Sequence, residues 1–113
     1  MIGAGFGPPT LIASDVDGTL LDPSDVIAER TRRVLIRAAD AGVELVPSTG
    51  RPPRWVPEIT DQLAGTSAAV RYAVCANGAI VYDVRADEIL YAAELGADVL
   101  AEIAEICARV VPG

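Results

Sequence analysis

The chain has no lysine and no histidine: its nine basic residues are all arginines, set against 16 acidic residues for a net charge of −7. With a pI near 4.4 there is no electrostatic footprint for nucleic acid, whose binding leans on clustered Lys and Arg. Cysteine is scarce. Cys75 and Cys107 lie far apart, show no CxxC spacing and have no histidine to complete a zinc set, so they read as buried free thiols of a reducing compartment. Aromatics make up only 4% of the residues, which leaves Ala, Val, Leu and Ile to build the core. No stretch reaches membrane-spanning length, and the first ten residues have neither a basic n-region nor a long apolar h-region, so a membrane location is not expected and a cytoplasmic one is.

What is present is one domain's worth of α/β pattern. At 113 residues with 51% hydrophobic content, the chain is long enough to bury roughly two-thirds of its unfolded surface. Residues 1–9 read as a flexible leader; Gly3-Ala4-Gly5-Phe6-Gly7 looks like a dinucleotide loop but precedes the first strand, where that fingerprint must follow one. Thr10 to Ser14 is an apolar run expected to form a buried parallel strand. Thr31, Val34, Leu35, Ala38 and Ala41 recur at helical spacing within 28–41, and Gly42 stands where a C′ glycine belongs. Arg30, Arg32, Arg33 and Arg37 on that helix read as a solvated face.

Val43 to Ser48 predicts a second strand, awkward at Pro47 unless its ladder is already ending there. A helix from Pro52 to about Ala64 should bury Trp55, Ile59 and Leu63. Arg71 to Ala76 is a third strand, and Asn77-Gly78 signals a hairpin into 79–84 and 88–92. Leu95 to Val111 is a last helix with Val99, Ile103, Ile106 and Val110 on one stripe and no obvious partner.

Chemistry concentrates at three strand ends. Asp15-Val16-Asp17-Gly18-Thr19-Leu20-Leu21-Asp22 sets two carboxylates one residue apart after an apolar run. Two carboxylates about 4 Å apart at an effective dielectric near 20 repel by roughly 4 kcal/mol, about three pKa units, so one of the pair should hold its proton. Read alone, the motif could also be a surface Asp-x-Asp-Gly turn of the calcium-loop kind. Thr49-Gly50-Arg51 follows the second strand, and Cys75-Ala76-Asn77-Gly78-Ala79 ends the third.

Together these segments resemble the haloacid dehalogenase (HAD) superfamily, and the Asn-Gly-Ala segment resembles its Cof-type, class IIB-capped phosphatases. The resemblance implies a Rossmann-type parallel sheet with an incomplete core, a small antiparallel extension and a C-terminal helix from the start of the cap. The implied divisions are 1–9 leader, 10–94 partial core and 95–113 first cap helix. It further implies a magnesium-dependent phosphohydrolase acting on a small phosphorylated metabolite. In that scheme Asp15 is the nucleophile and a Mg2+ ligand, and Asp17 is the general acid/base whose carbonyl also binds the metal. Gly18, Thr49, Gly50, Arg51 and Asn77 surround the phosphate.

Family members are much longer and return from the cap to supply a lysine and further metal-binding acids, all missing here. The piece is therefore expected to be nearly inactive by itself. The missing return should also leave the first strand's outer side as an open apolar edge, a route to homodimerisation or domain swapping. A non-catalytic module on a decayed HAD core and a phosphomutase relative remain the alternatives; a phospho-acceptor receiver domain would require a lysine, and an aspartate where Cys75-Ala76-Asn77 stands.

Overall fold

A computed structural model describes residue 5 and residues 7–113. The leader and its glycine pattern thus fall largely outside the described residues. Five strands form one sheet in sequence order: β1 (Leu11–Asp15), β2 (Glu44–Ser48), β3 (Tyr72–Cys75), β4 (Ile80–Asp83) and β5 (Glu88–Ala92). The first three are parallel and the last two antiparallel. This is the expected α/β architecture, parallel strands joined by crossovers and then a β extension.

Helix α1 (Glu29–Asp40) makes the first crossover. It closes as the glycine signal requires: Gly42 sits at φ +88, and the N–H groups of Gly42 and Val43 donate to the carbonyls of Ala39 and Ala38. Its buried centre is Leu35, flanked by Ile36 and Ala39, while Val34, expected on that face, is exposed.

The second crossover is not one helix. It breaks into a 3₁₀ turn (Pro53–Trp55), a single helical turn α2 (Pro57–Thr60) and another 3₁₀ turn (Asp61–Leu63). Pro57 lacks the N–H that would continue the ladder, so the helix restarts there. The rotation moves Trp55 out to 47% exposure and brings Val56 inward beside the expected Ile59 and Leu63.

Pro47 is fully buried inside β2. Glu44 donates to Thr10 on the β1 side, Thr49 donates to Val74 on the β3 side, and N–H groups alternate sides along a strand. The proline's missing donor therefore falls toward β3, where the register begins only at Ser48–Val74. No ladder bond is lost.

Packing is one-sided. Val16, Leu20, Leu35, Leu45, Ile59, Leu63 and Val70 fill the space between the sheet and the crossovers, each contributing about 1.5–3 kcal/mol by leaving water. The opposite face carries Leu11, Ala13, Val46, Val74, Val81 and Tyr91, none of them buried. The outer side of β1 is the expected open edge, since among the described residues nothing pairs with it; the strand itself, expected to be buried, is exposed, with Leu11 at 51%.

Helix α3 (Ala97–Val110) is exposed along its whole length, its apolar stripe included, and so is Cys107, expected to be buried. Cys75 is buried, and desolvation pushes its thiol pKa up. The arm of β5 and α3 stretches the molecule to a radius of gyration of 17.7 Å, against about 13 Å for a compact chain of this length.

Candidate active site

Asp15 is the last residue of β1 and pairs in register with Ser48 at the end of β2, which pairs with Val74 near the end of β3. The carboxyl ends of three adjacent parallel strands thus deliver the three motifs to one edge, where open α/β sheets bind ligands. A cavity of about 320 Å³ between α1 and the start of β2, lined among others by Leu35, Gly42, Arg71 and Arg85, lies at the other end of the strands. It takes no part in this site.

After Asp15 the chain winds through one tight turn, with the Val16 carbonyl accepting the N–H groups of Thr19, Leu20 and Leu21. Gly18 at φ +75 makes the turn without Cβ strain. Val16, Leu20 and Leu21 anchor it in the core, while Asp15 and Asp17 stay exposed. The hydroxyl of Thr19 donates to Asp15 Oδ2 at 3.0 Å, fixing the carboxylate and leaving Oδ1 outside that bond. Thr19 was missed as a site residue, although its position four residues after Asp15, across a glycine turn, was a usable signal.

Thr49 is buried and Ser48 exposed, on opposite sides as an extended strand dictates. Thr49 Oγ1 accepts the Arg51 N–H at 3.0 Å, so its own proton is free to donate. The third motif closes on the second: Ala76 N–H donates to the Arg51 carbonyl and Asn77 N–H to that of Thr49. A Cβ on Gly50 would come within 2.8 Å of Asn77 Oδ1, so only glycine fits there undisturbed. Ala76, Asn77 and Gly78 all have positive φ. With Cys75 opposite Ile80, the connection is a four-residue loop and not the two-residue turn that Asn-Gly suggested. Its first amides point at the neighbouring loop instead of across the hairpin.

Arg51 joins the first two motifs. Its Nε donates to Asp17 Oδ2 at 3.1 Å and an Nη to Asp17 Oδ1 at 2.6 Å, a bidentate fork. The same guanidinium reaches Asp25 and Glu58, both at 3.3 Å. Hydrogen bonding to Arg51 holds the Asp17 carboxyl below its ordinary range and raises the arginine in turn. This corrects the expected proton sharing: repulsion between the two carboxylates favours a proton on one of them, but Arg51 supplies an opposite charge at Asp17. Asp25 and Glu58 were also missed; nothing in their spacing marks them, because the fold brings them to Arg51.

Asp15 and the carbonyl of Asp17 are hard oxygen donors of the kind magnesium takes, and that ion is commonly held by one or two carboxylates with water and substrate phosphate. The donors present therefore fit it in kind. Among the described residues there is no cluster of three or more His, Cys, Asp or Glu able to hold a metal.

A family model for haloacid dehalogenase-like hydrolases matches residues 12–110. The chain belongs to that family. It is 35% identical to the 5-amino-6-(5-phospho-D-ribitylamino)uracil phosphatase YitU of Bacillus subtilis over 99 residues, 87% of this chain and 35% of that protein. To the pyridoxal phosphate phosphatase YbhA of Escherichia coli it is 35% identical over 82 residues, 73% of this chain and 29% of that one. The crystal structure of a haloacid dehalogenase-like hydrolase from Bacteroides thetaiotaomicron superposes with a TM-score of 0.73 at 29% identity, covering 91% of this chain and 38% of that one. This HAD-like chain spans about a third of the length of the curated relatives it matches.

Proposed function

We propose that the protein carrying this chain is a magnesium-dependent phosphohydrolase that works through an aspartyl phosphate on a small phosphorylated metabolite. The observation that carries the reading is the Arg51–Asp17 fork, which ties the acidic turn to the Thr49-Gly50-Arg51 loop at the end of a parallel sheet. Relatives named as phosphatases of small phosphorylated molecules support the substrate class.

Asp15 Oδ1, outside the Thr19 bond, attacks phosphorus; the phosphorus–oxygen bond to the leaving group breaks as the new one forms. Once its fork with Arg51 opens, Asp17 takes up a proton from solvent and hands it to the departing oxygen, and later takes one back from the hydrolytic water. The Thr49 hydroxyl, already aligned by the Arg51 N–H, donates to a phosphoryl oxygen, and Arg51 and Asn77 line the same edge. Magnesium bound by Asp15 and the Asp17 carbonyl would neutralise phosphoryl charge.

Residues 10–94 then belong to the core domain and α3 to the beginning of a cap. The 113-residue chain alone hydrolyses little, since it has no lysine to steady the phosphorylated intermediate, and it self-associates through the open β1 edge. The test is hydrolysis of p-nitrophenyl phosphate with magnesium by the longest product of the gene. Activity there that falls more than about a thousandfold in Asp15→Asn supports the reading, as expected for loss of a nucleophile. Activity unchanged by that substitution contradicts it.

A further inference from the structure

The guanidinium of Arg51 is surrounded by three carboxylates, and two of them share a second tie. The side-chain amide of Gln62 donates from Nε2 to the backbone carbonyls of Asp25, at 2.9 Å, and Glu58, at 3.0 Å. Its Oε1 accepts the Ile27 N–H at 2.8 Å. One half-buried side chain thus grips the backbone of the two residues whose carboxylates receive Arg51.

Asp25 needs that grip. It stands at φ +60, a left-handed conformation costly for a residue with a Cβ, in a loop held also by the Asp22 carboxylate accepting the N–H groups of Ser24 and Val26 and by backbone bonds from Asp25 N–H to the Asp22 carbonyl and from Asp22 N–H to the Val26 carbonyl. Glu58 lies four residues before Gln62, on α2. Arg32 Nε donates to the Gln62 carbonyl at 3.3 Å, tying its backbone to α1.

We infer that Gln62 is a positioning residue of the site: by fixing the backbone of Asp25 and Glu58 it sets where their carboxylates hold Arg51, and through Arg51 where Asp17 stands. The chemical role of Asp17 rests on the phosphatase reading; the placement of Arg51 by Gln62 does not. Electrostatics favour the arrangement, because a single guanidinium among three carboxylates keeps its fork on Asp17 only if the other two are held at fixed distance.

The test reads the Arg51 Nε–H by NMR in the 113-residue chain, without metal or substrate. Gln62→Glu keeps the acceptor for Ile27 and removes both donors, so exchange of that proton should accelerate roughly fivefold, the worth of one net hydrogen bond in an equilibrium. In an Asp25→Asn, Glu58→Gln background, adding Gln62→Glu should produce no further acceleration, because the route runs through those carboxylates. A folded Gln62→Glu protein with unchanged exchange, or an equal acceleration in both backgrounds, overturns the inference; the first of these is what a purely structural glutamine would give. Should Gln62→Glu fail to fold, the Asp25→Asn, Glu58→Gln protein decides: unchanged Arg51 exchange there overturns the inference as well. Failure of the phosphatase reading would leave these results untouched.

Discussion

Residues 10–84 and residues 88–113 both carry regular apolar patterns, yet only the first set is packed. Ile59 and Leu63 are 1% and 0% exposed, while Ile103 and Ile106, at equally good helical spacing, are 43% and 42% exposed. Periodicity reports that a face exists and says nothing of what covers it. The segment around α1, β2 and the broken crossover finds cover within the chain; among the described residues the side chains of β5, although its backbone pairs with β4, and of α3 do not.

The sharpest way to break this comparison is matched truncation. Leu63→Ala should lower unfolding free energy by about 2–5 kcal/mol in urea melts, whereas Ile103→Ala should stay within about 0.5 kcal/mol, as for an exposed site. Equal losses would mean that α3 packs in solution.

The joint between the regions can be probed by pH. The Tyr82 hydroxyl donates to Asp87, in the turn before β5. That bond, with burial and the nearby Asp87, Cys75 and Asp83, pushes its pKa from 10.0 up to about 12. A raised folded-state pKa gives stability that is complete below the unfolded value and lost as pH rises through the folded one. Stability should therefore fall between pH 10.0 and about 12, and Tyr82→Phe should flatten that limb of the melt series; an identical limb in the variant would place the effect elsewhere.

Solution size sharpens the contrast further, since the uncovered strand belongs to the packed half. If β1 pairs with a second copy, light scattering should show a dimer that Ile12→Lys reduces to monomer, a charge on an edge strand opposing pairing. A monomer at high concentration would contradict that route. The smallest effect belongs to Gly50→Ala. The added Cβ must displace the Asn77 side chain, so the Asn77 amide resonances should shift while stability changes by less than about 1 kcal/mol.

How much was legible follows the same division. The parallel strands could be read because apolar runs end at turn residues or acids, and the Schellman close of α1 because Gly42 stands after its last turn. The uniform second helix could not survive Pro57, a breaker visible in the sequence but outweighed there by the 55–59–63 spacing. Asp15, Asp17, Thr49 and Arg51 were readable as motif residues. The Arg51 fork was not, nor were Asp25, Glu58 and Gln62, because tertiary folding joins residues up to 37 positions apart.

On the proposed phosphatase reading, Asp15, Asp17 and Thr49 line one cation-and-phosphate pocket. Manganese, which shares magnesium's preference for oxygen ligands, can be titrated into the chain while its amide NMR signals are followed. Paramagnetic broadening should be confined to residues 15–19, 49–51 and 77, and Asp15→Asn should abolish it. Broadening centred on the acidic residues of α3, or persisting unchanged in Asp15→Asn, would contradict the account.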